Sequence, residues 1–118
     1  MDNKKLFNEI KSFCYGKENG ESAQDVANWV LVKGDKRALR RVCSAINSDL
    51  NVDGIISTSG KIYVCKTKDE CVKAISNTYR MAIAYFKKAR VMETKVGLNG
   101  QFKMNKDGTD IMITYEGK

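Results

Sequence analysis

Apolar side chains recur at helical spacing from the beginning of the chain. Leu6, Ile10 and Phe13 or Cys14 predict a short amphipathic helix over about residues 3–15, closed by Gly16 and the polar run Lys17-Glu18-Asn19-Gly20. Ser22, with Asp25 three residues on, resembles a capping box and opens a second periodic run through Val26, Trp29, Val30 and Leu31, which stops near Lys33-Gly34. Asp35 is a suitable N-cap for a third helix over about 36–50. In it Leu39, Val42, Cys43, Ile46 and Leu50 form one apolar stripe, and Lys36, Arg37, Arg40, Arg41, Ser44, Asn47 and Ser48 line the opposite face.

Asn51, Asp53 and Gly54 interrupt the helical period. The β-branched stretch from Ile55 to Cys65, with Ser59-Gly60 at its middle, then predicts a hairpin over 55–65 with Lys61 at its tip. Thr67 and Glu70 form a second capping box. From there Val72, Ile75, Tyr79, Ala82, Phe86 and Ala89 alternate in steps of three and four through a long helix of about 68–93. Such a stripe is expected to pack against its own domain, and the same spacing suits the seam of a homodimer. Gln101–Met104 and Ile111–Tyr115 flank Asn105-Lys106-Asp107-Gly108, a turn signal that predicts a C-terminal hairpin over about 96–116. No repeat or linker divides the chain. The expected architecture is a single α+β domain over 1–118, with its core at about 3–66.

The 118 residues carry 21 Lys+Arg against 14 Asp+Glu, a formal charge of +7. The excess is localised: residues 71–104 hold seven positive side chains and one negative, whereas residues 1–34 are balanced at five of each. A basic excess is the sign expected of a nucleic-acid binder. Histidine is absent, which removes the commonest general base and the usual partner of cysteine in zinc sites. No nucleophile–base pair, P-loop or GxGxxG turn is present, so the chain is not expected to be an enzyme, and no cofactor or metal is implied. Cys14, Cys43, Cys65 and Cys71 lack ligand spacing and read as free thiols of a reduced compartment. No run reaches 18 apolar residues and the first twenty are charged throughout, so neither a membrane span nor a signal peptide is expected, and a cytoplasmic location follows. Trp29 and Tyr63 sit in apolar patterns and are expected as buried core anchors.

Three helices followed by a two-stranded hairpin is the element order of a winged helix-turn-helix, in which the third helix enters the major groove and the hairpin reaches the DNA backbone. The chain resembles the small winged-helix proteins common in phages and prophages of low-GC bacteria. The matching residues are Arg37-Ala38-Leu39-Arg40-Arg41-Val42 with Ala45-Ile46-Asn47, Gly54-Ile55-Ile56-Ser57 with Ser59-Gly60-Lys61-Ile62-Tyr63-Val64, and Lys68-Asp69-Glu70 with Arg80, within residues 22–92. Where the family ends its recognition helix with Leu-Arg-x-x-Gly, this chain has Asp49-Leu50-Asn51-Val52-Asp53-Gly54.

The resemblance implies a double-stranded DNA-binding protein, either a transcriptional regulator or a replication accessory factor. Lys36, Arg37, Arg40, Arg41, Ser44, Asn47 and Lys61 are then the expected contacts, and the start of the second helix a brace for the DNA backbone. The alternative is a phage-type inhibitor that uses the same scaffold to bind a host protein.

Overall fold

Side-chain caps set where the helices begin. The Asp2 carboxylate accepts from the Lys4 amide at 3.0 Å, Ser22 Oγ from the Asp25 amide at 3.1 Å, and Asp35 from the Arg37 amide at 2.9 Å. Thr67 Oγ1 accepts from the Glu70 amide at 3.2 Å, while the Glu70 carboxylate reaches back to the Lys66 amide at 2.9 Å. In the computed structural model, which describes residues 2–115, these caps open α1 (Asn3–Phe13), α2 (Ala23–Val30), α3 (Lys36–Asn47) and α4 (Lys68–Lys95). A short 3-10 turn, Lys17–Asn19, separates α1 from α2. Strands β1 (Ile56–Ser57) and β2 (Tyr63–Val64) form one antiparallel hairpin, and β3 (Gly100–Met104) and β4 (Ile111–Tyr115) a second. The protein is therefore α+β, with the elements in the predicted order. The expected end of the last hairpin at residue 116 lies outside the described residues, as do residues 1, 117 and 118 of the expected domain.

The chain divides into two compact units, one up to Thr78 and one from Tyr79. The first has the core. Ile10, Val26, Leu39, Cys43, Ile46 and Ile62 are fully buried, and Ile56 and Val64 are each 1% exposed, so all three helices and both short strands contribute. Each such aliphatic side chain contributes roughly 1.5–3 kcal/mol by leaving water. Strand β2 is bonded on both sides. Ile56 and Ser57 pair with it on one edge, and on the other Val64 donates to the Cys14 carbonyl at 2.7 Å while Ile62 and Glu21 exchange both backbone bonds at 2.7 and 3.0 Å. Two residues per strand would be marginal alone, and the α1–α2 connection supplies the missing ladder.

Three burial expectations are corrected. Leu50 is 98% exposed because α3 ends at Asn47 and its period no longer applies; Val52, at 8%, takes the place by the core. Trp29 is 47% exposed because the core-facing stripe of α2 runs through Ala23, Val26 and Ala27, with Val30 packed beside it, and Trp29 falls off it. It packs on Phe13 instead, itself 53% exposed, with ring centroids 5.2 Å apart. Tyr63 is buried as expected. The α4 stripe does not pack inward: no residue of α4 is buried, and Val72 and Ile75 stand 52% and 47% exposed while Cys71 and Ala74, on the neighbouring face, take up the contact with the core.

The second unit is a helix with a hairpin. Phe86 meets Phe102 edge-on at 5.5 Å, and the Arg90 guanidinium bonds the Glu93 carboxylate at 3.0 Å and the Gly100 carbonyl at 2.7 Å. Arg90 is thus committed within its own unit.

Two predictions follow from this packing. A Cβ on Gly54 would lie 2.5 Å from the ring of buried Phe7, so Gly54→Ala should cost about 1–3 kcal/mol in urea unfolding. Burial pushes the Cys43 thiol from an ordinary 9.0 up to about 11. The folded state then keeps a proton that the unfolded chain releases, so this stabilisation is complete below pH 9 and is lost as pH rises through about 11. Unfolding free energy compared at pH 8 and about pH 10.5 should fall more steeply in the wild type than in Cys43→Ala.

Candidate nucleic-acid interface

Helix α3 has two chemically opposite sides. Leu39, Cys43 and Ile46 are 0% exposed and fix one side to the core. Arg37, Arg40, Arg41 and Ser44 recur at spacings of three, four and seven on the other side, and every one is exposed, as is Lys36 in the first turn. Among the described residues, none of these four cations takes part in an ion pair. Their charge is therefore directed at solvent. Asp35, the nearest acid in sequence, has its carboxylate occupied by the Arg37 backbone amide at the helix start.

The approach of α3 to α2 depends on a close turn. Gln24 donates its side-chain amide to the Gly34 carbonyl, and a Cβ on Gly34 would come 3.2 Å from the Asn28 Cα and closer still to its side chain. A larger residue would push the turn away from α2, and with it the start of α3.

Asn47 has a different place from that expected. Its Oδ1 accepts from the Ile56 amide at 2.8 Å and its Nδ2 donates to the Ile56 carbonyl at 2.9 Å. This double bond pair mimics a strand neighbour and ties the end of α3 to β1. Sequence reasoning could not find it, because the same amide reads equally well as a base-contacting group and its partner is nine residues away. Asp49, one of the acids that interrupt the family pattern, is likewise engaged: Asn3 Nδ2 donates to it at 3.1 Å and the Asn51 amide at 2.9 Å. These bonds, the Asn3 contact foremost, hold its carboxyl below the ordinary range.

Lys61 is exposed, following Gly60, whose φ of 89° makes the turn that a side chain would strain. At the start of α2, the Ser22 hydroxyl is spent on the Asp25 amide. Cys14, Cys43 and Cys65 are buried and Cys71 is half-buried; burial raises the Cys65 thiol to about 11 as well, so neither it nor Cys43 offers a thiolate near neutrality. Among the described residues no three potential metal ligands come together, and no helix is long and apolar enough to cross a membrane.

Comparison of the chain with protein-family models, with curated proteins and with solved structures gives no match.

The two kinds of polar residue on α3 should separate in unfolding experiments. Asn47→Ala leaves the Ile56 amide and carbonyl without partners and should cost about 1–3 kcal/mol, whereas Arg40→Ala should stay within about 0.5 kcal/mol of wild type.

Proposed function

We propose that the protein binds double-stranded DNA as a winged helix-turn-helix, with α3 in the major groove and the 55–65 hairpin as the wing. The observation that carries this reading is the exposed row Arg37, Arg40 and Arg41, unpaired among the described residues, on a helix whose opposite side is locked into the core by Leu39, Cys43 and Ile46. A helix of about 10–12 Å across fits the major groove, about 12 Å wide. In this reading the guanidinium groups on that face pair with phosphates, in bidentate geometry where two oxygens are available, and Ser44 contacts a base edge. Lys36 adds a cation at the helix start and Lys61 a backbone contact from the hairpin tip. Asn47 acts in this reading as a positioning residue that keeps α3 and the hairpin in register. A phage or mobile-element regulator, or a replication accessory factor, is the role such a module serves.

A second reading, an inhibitor that binds a host protein, draws on the exposed Phe13–Trp29 pair, since exposed aromatic clusters are frequent anchors of protein interfaces. It predicts weak generic affinity for DNA and a tight complex with one protein.

Replacing Arg37, Arg40 and Arg41 together with alanine should remove most duplex affinity while leaving the unfolding midpoint near that of wild type. Loss of three phosphate contacts should flatten the slope of log affinity against log salt by about 2.7, at 0.9 per phosphate. An unchanged slope would reject α3 as the contact surface. Absence of binding by the wild type at low salt would reject the DNA reading itself.

A further inference from the structure

The unit from Tyr79 has a hydrophobic side without a hydrophobic core. The register of β3 and β4 places Phe102, Met104, Ile111, Ile113 and Tyr115 on one face of the hairpin, uninterrupted by a polar residue. That face meets α4 at Phe86, yet the five side chains remain 40–53% exposed. On α4, Tyr79, Ile83 and Phe86 share the same side and are 68%, 54% and 42% exposed. Gly100 is the one buried residue among the described residues of this unit.

Units of about forty residues usually need a disulfide, a metal or association to persist. Residues 79–118 contain neither cysteine nor histidine. A two-stranded hairpin is itself marginal in water unless further strands or a packed helix cover its apolar face. We propose that this unit pairs with a second copy of the chain, which covers the hairpin's apolar face and the Tyr79–Phe86 side of α4.

Charge permits a second copy at this face. On the apolar side of α4, Arg90 and Glu93 neutralise each other at 3.0 Å. Lys88 and Lys95 fall on the opposite side by helical spacing, and Arg80 and Lys87 stand roughly a quarter-turn round from it, so two copies meet with these cations at the rim of the contact, where water and salt screen them. Tyr79, Ala82, Phe86 and Ala89 follow the alternating three- and four-residue steps by which like helices interdigitate. The area also suffices. The eight half-exposed side chains, at roughly 100 Å² each, offer on the order of the ~800 Å² per partner that stable interfaces bury. The pairing is independent of DNA binding.

Sedimentation equilibrium of the full chain at micromolar concentration tests the proposal. The expected mass is twice 13.3 kDa. The double variant Ile83→Glu/Ile113→Glu should weaken association at least about 100-fold, because each charge would have to be buried at the contact. Met81→Glu, at an exposed site on the far side of α4, should leave association unchanged. Helix content by circular dichroism should match wild type in both. A mass of 13.3 kDa at every concentration overturns the proposal, whatever the variants do. So does dimerisation of the double variant with wild-type affinity, or equal dissociation by Met81→Glu. A monomer that floats with anionic lipid vesicles would overturn it in favour of a membrane surface.

Discussion

The paired hydrogen bonds between the Asn47 side chain and the backbone of Ile56 are the constraint on which the arrangement of the first unit depends. A helix and a strand have no common backbone pattern through which to join. An asparagine amide solves this, since its NH2 and carbonyl oxygen present a donor and an acceptor side by side, as a strand neighbour's backbone does. Placed at the last residue of α3, it lets the helix end and the sheet begin within nine residues, with the turn between them held by Asp49 through Asn3. The buried side chains of α3 fix its rotation about its own axis. The amide fixes where that helix stands along the hairpin, which packing alone leaves softer.

The cations on α3 are a cost to the isolated protein. Arg37, Arg40 and Arg41 lie within five residues of one another, and among the described residues none forms an ion pair that would offset their repulsion. The helix tolerates them because screening by salt is effective at exposed sites and because Leu39, Cys43 and Ile46 anchor the other side. In the proposed DNA complex a polyanion at this face would relieve the repulsion and release the counterions gathered there, so the feature that slightly destabilises the free helix would favour binding.

Much of the fold is legible in the sequence because its signals are local. The caps at Ser22, Asp35 and Thr67 act within three residues, and the hairpin turns are written in Ser59-Gly60 and Asp107-Gly108. What the sequence conceals is which of several apolar faces the core selects. Leu50 fits the α3 period, yet the helix ends before reaching it; Val72 and Ile75 fit a stripe, yet the core takes Cys71 and Ala74. The candidate site divides in the same way. The arginines are placed by the period of α3 alone, whereas the role of Asn47 is set by a strand that the period does not see.

Because β2 and the residue before it are bonded along both edges, the hairpin is held up to Ile62, and the exposed turn beyond it carries none of those bonds. Residues Thr58 to Lys61 are exposed; apart from Gly60, whose positive φ the present turn requires, they can change in kind, and a turn of another length can replace the whole. Loop closure becomes costlier only slowly with length, at about 0.6 kcal/mol for each doubling. Lengthening this turn would carry its basic residue further from the body of the protein while leaving the scaffold as it is. Reach, in such an arrangement, evolves separately from stability.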